Sequence, residues 1–518
     1  LSQTLRLDGK SSSTRRVWIP KPGKKEKRPL GIPTMTDRAK QCLLKMALEP
    51  EWEAKFEANS YGFRPGRNCH DAIKAIWISI NKKPKFVFDA DIASCFDKIN
   101  HEKLLQKIDT NPKFHRQIKA WLKSGVIDKG EWFLTEEGTP QGGVCSPLLA
   151  NIALHGMENL IAEYYPANKS GYLKNSQKKY GYQVSKPILI RYADDFIVLC
   201  EEISIVKECQ KLITNWLRDI GLEIKPSKTR LTHTLLGYEQ ENPGFQFLGF
   251  NIRQYPVGRH HSGTRGNRYH SEIQGYRTYI IPSANKVKEH YHELAQVIGR
   301  FKGESQDELI SALNPKIRGW CNYQIPWNSK DTFKKLDSLM FKRLWRWATR
   351  RHRNKNGSWK ARKYWQKVGN DNWVFAGSMT SEKPLKLLKH FSFPAGKSHV
   401  KVQDTRSPYD GDEIYWSSRL GDNYKVLEPQ ISRLLQRQKG KCAHCGTLFK
   451  VGDVIEKHHI AQKAKGGNNS DANLELMHLH CHDQTHRCNN TNHKEEVTSK
   501  SDSRTLRSGV KRKFHAPF

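Results

Sequence analysis

The chain has 518 residues, enough for several domains and a large core. Lys and Arg number 88 against 52 Asp and Glu, a formal net charge of +36, which points to a polyanionic partner and favours nucleic acid over an anionic membrane surface. No run of about 18 apolar residues is present to span a bilayer, which argues against a membrane partner.

The start, "LSQTLRLDGKSSSTRR", has no apolar signal core and no Met, so the native N-terminus is expected further upstream. Eleven Cys, mostly scattered singly, suit reduced thiols in the cytoplasm rather than a disulfide framework; the exception is Cys442-x-x-Cys445.

Residues 14–37, "TRRVWIPKPGKKEKRPLGIPTMTD", interleave short apolar stretches with Pro, Gly and basic residues and read as a basic hairpin turning near Pro22-Gly23. Helical spacing follows from Arg38 to Phe56. "KFVFDADIASCFDKINHEKLLQKI" reads as a strand ending near Asp91 and then a helix. "GTPQGGVCSPLLANIALHGMENLI" reads as a Gly-rich turn and a helix, with Ser146 at the cap and Pro147 at the first position.

"PILIRYADDFIVLC" sets two apolar runs around Asp194 and Asp195, so the acids fall in a tight hairpin connection. Adjacent buried carboxylates are costly unless a cation sits beside them. If "FVFDAD" is an antiparallel neighbour, Asp91 comes beside Asp194, and the two could bridge two Mg²⁺ ions. The competing use is structural: Asp91 caps the next helix and Asp195 pairs with Arg191.

Beyond this hairpin, "SIVKECQKLITNWLRDIG" reads as a helix ended by Gly221, and "LEIKPSKTRLTH" and "FQFLGFNI" as strands. From Ser283 to Phe393 the pattern is largely helical. Residues 341–367 hold eleven Lys or Arg, no acid, and five Trp or Tyr. Leu336, Met340, Leu344 and Trp347 share one helical face, so this is either a core stripe with a solvated basic back or a phosphate-tracking surface.

Taken in order, the basic hairpin, "RPLGIPT", "YGFRPGR", "DADIASCF", "GTPQGGVCSPLLANIAL", "RYADDF", "KPSKT" and "FLGF" resemble the reverse transcriptases encoded by group II introns. "NPKIRGWCNY" (314–323) resembles the thumb or maturase region of that family, and the likeness covers roughly residues 14–400. The family's most N-terminal block has no counterpart here. The resemblance implies Asp91 and Asp194 as Mg²⁺ ligands with Asp195 beside them, and Phe96 as the steric gate that favours dNTPs. It implies Gln141 under the templating pair, Arg28 and Lys21 on the triphosphate, Lys228 as proton donor to pyrophosphate, and 247–250 as the primer grip.

Near the C-terminus, Cys442-x-x-Cys445 pairs with His478-x-x-Cys481 as a tetrahedral Cys3His zinc site, and spacing of four sets His482 and His486 on one helical face. With His458-His459 and Asn473 between, the order resembles the HNH, or ββα-metal, nucleases. That likeness implies His459 as general base, His458, His482 and His486 as ligands of a divalent ion, and Asn473 orienting the base or its loop. Such units generally carry Cys where His478 stands, and Cys488 is the alternative fourth zinc ligand. A purely structural zinc knob is the competing reading of the unit.

The expected architecture is an α+β multidomain chain. Its parts are reverse transcriptase fingers and palm (1–282), a helical thumb and maturase region (283–400), a linker or DNA-binding region (401–430), a small zinc-containing HNH domain (431–490) and a basic tail (491–518). The implied function joins reverse transcription, intron splicing and nicking of target DNA, with intron RNA, target DNA and dNTPs as partners and a homodimer allowed. The rivals are an RNA-binding maturase with little catalysis and a reverse transcriptase serving another element.

Overall fold

A computed structural model describes residues 5–20, 26–257, 275–377, 385–396, 398–421, 427–450, 452–463 and 466–486. Lys21, the Pro22-Gly23 turn, Cys488 and the 491–518 tail lie outside the described residues. The chain divides into two units at Arg406/Ser407. Among the described residues no helix is long and apolar enough to cross a membrane.

The first unit is built on a four-stranded antiparallel sheet in the order Ile188–Tyr192, Asp195–Cys200, Phe86–Asp91, Arg230–His233. "FIVLC" is continuously apolar because both faces of this sheet are covered. Phe196, Val198 and Cys200 join the core under the helices Ser146–Leu154 and Ile203–Asp219, while Ile197 and Leu199 meet Ala72, Ile73 and Ile76 of Cys69–Ile80. Each such side chain contributes about 1.5–3 kcal/mol of transfer free energy. The acids at the strand ends are therefore carried on a rigid base.

The basic hairpin pairs Thr14–Pro20 with Lys27–Ile32 and extends through Val126–Asp128 and Glu131–Phe133 into a second sheet. A third sheet joins Phe245–Phe247, Phe250–Pro256 and Tyr276–Pro282. Helices Ala284–Arg300, Gln306–Gln324, Lys330–Arg351 and Gly357–Tyr364 follow, and Leu336, Met340, Leu344 and Trp347 are buried as one stripe.

Local readings differ in four places. The 146–154 helix is capped at Cys145, so Ser146 is its first residue and its hydroxyl instead donates to the Pro140 carbonyl (2.8 Å). "LEIKPSKTRLTH" is not one strand: Pro226 starts a 3-10 turn over Pro226–Lys228, and the strand begins at Arg230. The helical region closes with a hairpin, Trp365–Val368 against Asp371–Phe375. Within the expected linker, Glu413–Leu420 is helical, capped by Asp412 at the Tyr415 amide, and packs on Pro429–Gln438.

The second unit also contains the antiparallel pair Ile455–His459 and Leu474–His478, with Leu434, Leu435, Phe449 and Leu476 between strands and helix.

Candidate active sites

The 188–192/195–200 hairpin turns through Ala193 and Asp194. Asp91 stands opposite Asp195 in the antiparallel register, and the Ile92 amide donates to the Asp194 carbonyl (3.1 Å), which gathers the three acids at one sheet end. Neither structural use of these acids is seen. The helix after Asp91 starts at Cys95 behind Ser94, and Arg191 bonds to Asn151, Ser60 and the Ala193 carbonyl instead of Asp195.

Burial, followed by the charges of Asp194 and Asp91, pushes the Asp195 carboxyl up to about 7. Burial also raises Asp194 and lifts Asp89, one strand period from Asp91, to about 7. The 3-10 turn delivers Lys228, whose Nζ lies 2.5 Å from Asp91 Oδ2. Burial opposes its charge, but the bond to Asp91 together with the charges of Asp91, Asp195 and Asp194 outweighs that and holds Lys228 above its ordinary value. Three carboxylates against one ammonium leave a surplus of negative oxygen donors, which fits hard divalent cations.

The turn is held from behind by residues whose part in this site was not legible from sequence, Arg191 among them, weighed above only as a partner of Asp195. Ala193 has φ +58°, uncommon for a residue with a Cβ. A Cβ on Gly62 of "YGFRPGR" would lie 2.3 Å from the Ala193 nitrogen, so backbone packs on backbone there. The Gly62 carbonyl accepts from Asn151 Nδ2 (2.8 Å), and Asn151 Oδ1 accepts from the fully buried Arg191 (3.1 Å). Arg191 also donates to Ser60 Oγ (2.7 Å) and to the Ala193 carbonyl (3.2 Å). Arg64 is buried against Glu53 at 2.9–3.1 Å and donates to the carbonyls of Glu57 and Ser60. Gly62, Arg64, Asn151, Arg191 and Ala193 lie in the motif blocks already quoted, which was the available signal; their mutual contact was not.

A cavity of about 210 Å³ is lined by Phe96, Asp97, Gln141, Gly31, Arg16 and Trp18, among others. Gln141 Nε2 donates to Asp97 Oδ2 (3.1 Å), and the Gln141 carbonyl accepts from the Gly31 amide (2.8 Å). Gly142 has φ +126°, and a Cβ there would sit 3.0 Å from the Gly31 carbonyl, so the Gly-rich turn and the basic hairpin meet through bare backbone. Phe96 is half-buried with its ring edge toward Phe63 (6.0 Å). Arg28 is exposed on the hairpin, near enough to lower the Asp194 carboxyl against its burial. In "FLGF", Leu248 has φ +46°, and its carbonyl accepts from the Tyr323 hydroxyl of the 306–324 helix (2.8 Å).

In the second unit, Cys442, Cys445, His478 and Cys481 present ligand atoms within 4.8 Å of one another, and so do His458, His482 and His486. The first is a soft sulfur-rich set suited to zinc. His478 Nε2 lies 3.3 Å from Asp453 Oδ2 while Nδ1 faces Cys445 Sγ (3.5 Å), the arrangement in which a carboxylate fixes a ligating imidazole. In the second cluster, His458 Nδ1 is buried without a hydrogen-bond partner, and burial with the neighbouring imidazoles lowers the His458 pKa, so the ring is neutral and its lone pair fits a metal.

His459 is half-buried, and its Nε2 lies 2.9 Å from Asn469 Oδ1. Asn473 touches the loop rather than the ring: it accepts from the Ala461 amide (2.8 Å) and donates to the carbonyls of Ala461 (3.1 Å) and Asn468 (2.8 Å). Asn469 had no motif position to single it out among the asparagines of "GGNNSDAN".

A family model described as reverse transcriptase (RNA-dependent DNA polymerase) matches residues 19–252, the group II intron maturase-specific domain matches 287–365, and HNH endonuclease matches 442–488. The "Group II intron-encoded protein LtrA" of Lactococcus lactis subsp. cremoris is 28% identical over a match covering 86% of this chain and 80% of that protein. "Protein YkfC" of Escherichia coli (strain K12) is 34% identical, covering 46% of this chain and 66% of its own length. An "Uncharacterized 91 kDa protein in cob intron" of Schizosaccharomyces pombe is 27% identical, covering 84% and 56%. The chain thus carries reverse transcriptase, maturase-specific and HNH endonuclease domain matches in this order, and is similar along most of its length to a group II intron-encoded protein.

Proposed function

We propose that this chain nicks target DNA with its second unit and extends the new 3′-hydroxyl with its first, copying the intron RNA that its maturase region helps to splice. The observation that carries this reading is the meeting of Asp91, Asp194 and Asp195 at one sheet end, in a chain that also assembles the His458, His482 and His486 cluster. Fingers and palm occupy 1–282, thumb and maturase region 283–400, a linker 401–430, the nuclease 431–490 and a basic tail 491–518.

At the palm, Asp91 and Asp194 are the ligands and Asp195 adjusts the charge beside them. Asp91 and Asp194 would hold two Mg²⁺ ions, whose charge would lower the cost of deprotonating the primer 3′-hydroxyl and neutralise the departing pyrophosphate. The hydroxyl oxygen attacks the α-phosphorus of a dNTP, the bond to the β-phosphate bridging oxygen breaks, and Lys228 delivers a proton to pyrophosphate. Phe96 closes the space a ribose 2′-hydroxyl would need, Gln141 supports the templating pair, and Arg28 contacts the triphosphate.

In the nuclease, His459 takes a proton from water as that water attacks the scissile phosphorus, and the bond to O3′ breaks. His458, His482 and His486 would hold a divalent ion that would stabilise the charge on the phosphate. Asn473 holds the 461–468 loop, and Zn²⁺ on Cys442, Cys445, His478 and Cys481 is structural.

The test uses intact and pre-nicked duplexes. Asp194→Asn is expected to nick but not extend either duplex, with RNA affinity unchanged, and His459→Ala to extend only the pre-nicked one. Extension by Asp194→Asn at the wild-type rate would remove the metal assignment, and nicking by His459→Ala at that rate would favour the zinc-knob reading.

A further inference from the structure

The helices Ala284–Arg300 and Lys330–Arg351 leave a cavity of about 370 Å³ between their C-terminal ends, lined by Ile298, Gly299, Lys302, Arg343, Arg346, Trp347, Arg350 and Arg351. Five of these eight are cationic and none is acidic. Arg343, Arg346 and Arg350 recur at helical spacing on one side, and no described acid pairs with them. The floor is different in kind, formed by the aliphatic Ile298, the bare backbone of Gly299 and the nearly buried Trp347.

Two features make this floor a prepared surface. The Trp347 indole N–H already donates to the Phe301 carbonyl (2.8 Å), and the buried ring shows the cavity only an apolar margin beneath the exposed Arg351 guanidinium, whose plane is the stacking surface. Arg351 lies over that ring at 4.7 Å and donates to the carbonyls of Lys302 (3.0 Å) and Glu304 (2.6 Å), which fixes its guanidinium before any ligand arrives. A fixed guanidinium plane beside an aromatic floor is a stacking platform for a base.

The geometry points to a pocket for one unpaired nucleotide of an RNA strand: the base enters against Trp347 and Arg351, and its flanking phosphates meet Arg343, Arg346, Arg350 and Lys302. A duplex backbone would satisfy the arginines but has nothing to place in a cavity with an apolar floor. This inference rests on the reading of the maturase region as an RNA surface and adds that the surface recognises a single-stranded feature by insertion.

Gly299 separates the two ideas, because a Cβ there would meet nothing within 4 Å. Gly299→Leu fills the floor, keeps every cation and improves helix propensity. The full chain would be irradiated with a short single-stranded RNA carrying one 4-thiouridine, and with the same sequence as a duplex, and crosslinks to 298–302 and 343–351 mapped. The single strand is expected to crosslink there and the duplex not. Gly299→Leu should cut that crosslink about tenfold, the worth of one stacked base, with its melting temperature unchanged. Gly299→Ala, a smaller filler, guards against a folding defect and should retain most of the crosslink.

An undiminished crosslink in Gly299→Leu, or equal crosslinking by the duplex, would overturn the pocket. The double variant Arg343→Gln/Arg346→Gln tests the underlying reading separately, since lost phosphate contacts lower the salt dependence of RNA binding by roughly 0.7–0.9 per contact. A reduced slope with an unaffected Gly299→Leu would leave the RNA surface standing and the pocket refuted; an unchanged slope would refute the surface itself.

Discussion

The polymerase and nuclease centres hold charged groups in place by opposite means. Asp91, Asp194 and Asp195 come from strands far apart in the chain, and their positions are set by a sheet buried on both faces and by the backing of Gly62, Asn151 and Arg191. The nuclease residues lie within residues 442–486, on two short strands, the helical segment 479–486 and loops over a small core, and a Cys3His and a three-His cluster converge there. Where burial is plentiful the apolar core can place the proposed catalytic groups; where it is scarce metal coordination would take over that work.

The largest expected break in this contrast is Cys442→Ser. Losing one thiolate should release zinc, expose 431–486 to protease and abolish nicking, while extension of a supplied primer continues at the wild-type rate. Zinc quantification, limited proteolysis and both activity assays on one preparation check it. Loss of extension alongside nicking would mean that the polymerase centre also depends on this metal.

Gly62→Ala probes the other side. A Cβ 2.3 Å from the Ala193 nitrogen must displace the turn that carries Asp194. A shift of about 1 Å is worth roughly a hundredfold in rate, so extension should fall by about that factor with nicking untouched. Phe96→Ala is the mildest. It should lower discrimination against ribonucleotides by roughly tenfold or more, measured as the ratio of kcat/KM for dNTP and rNTP, with little loss of stability because Phe96 is only half-buried.

What the sequence made legible follows from the range of each signal. Apolar runs and turn chemistry put each acid at a strand end because those signals are local. The meeting of Asp91 with the Asp194-Asp195 hairpin was legible only through the order of the motifs and the family it resembles. Cysteine and histidine spacing, also local, marked both clusters of the second unit. The Gly62–Ala193 packing and the burial of Arg191 are contacts between distant segments, to which local periodicity is blind. Ser146 was placed one residue early because the Cys145 cap uses no side-chain bond. Asp453 and Asn469 escaped notice because ordinary loop residues acquire their partners only on folding.

The most direct test of the central claim is hydrogen exchange on the full chain with and without a strong metal chelator. The amides of Ile92 and Tyr61 report the polymerase turn through their bonds to the Asp194 and Arg191 carbonyls, and the Ala443 amide reports the nuclease through its bond to Leu476. The account predicts that chelation leaves Ile92 and Tyr61 as protected as before, while Ala443 and the strands 455–459 and 474–478 lose protection together. Equal loss in both regions, or none in the second unit, would contradict the contrast of a core-built polymerase centre with a metal-built nuclease.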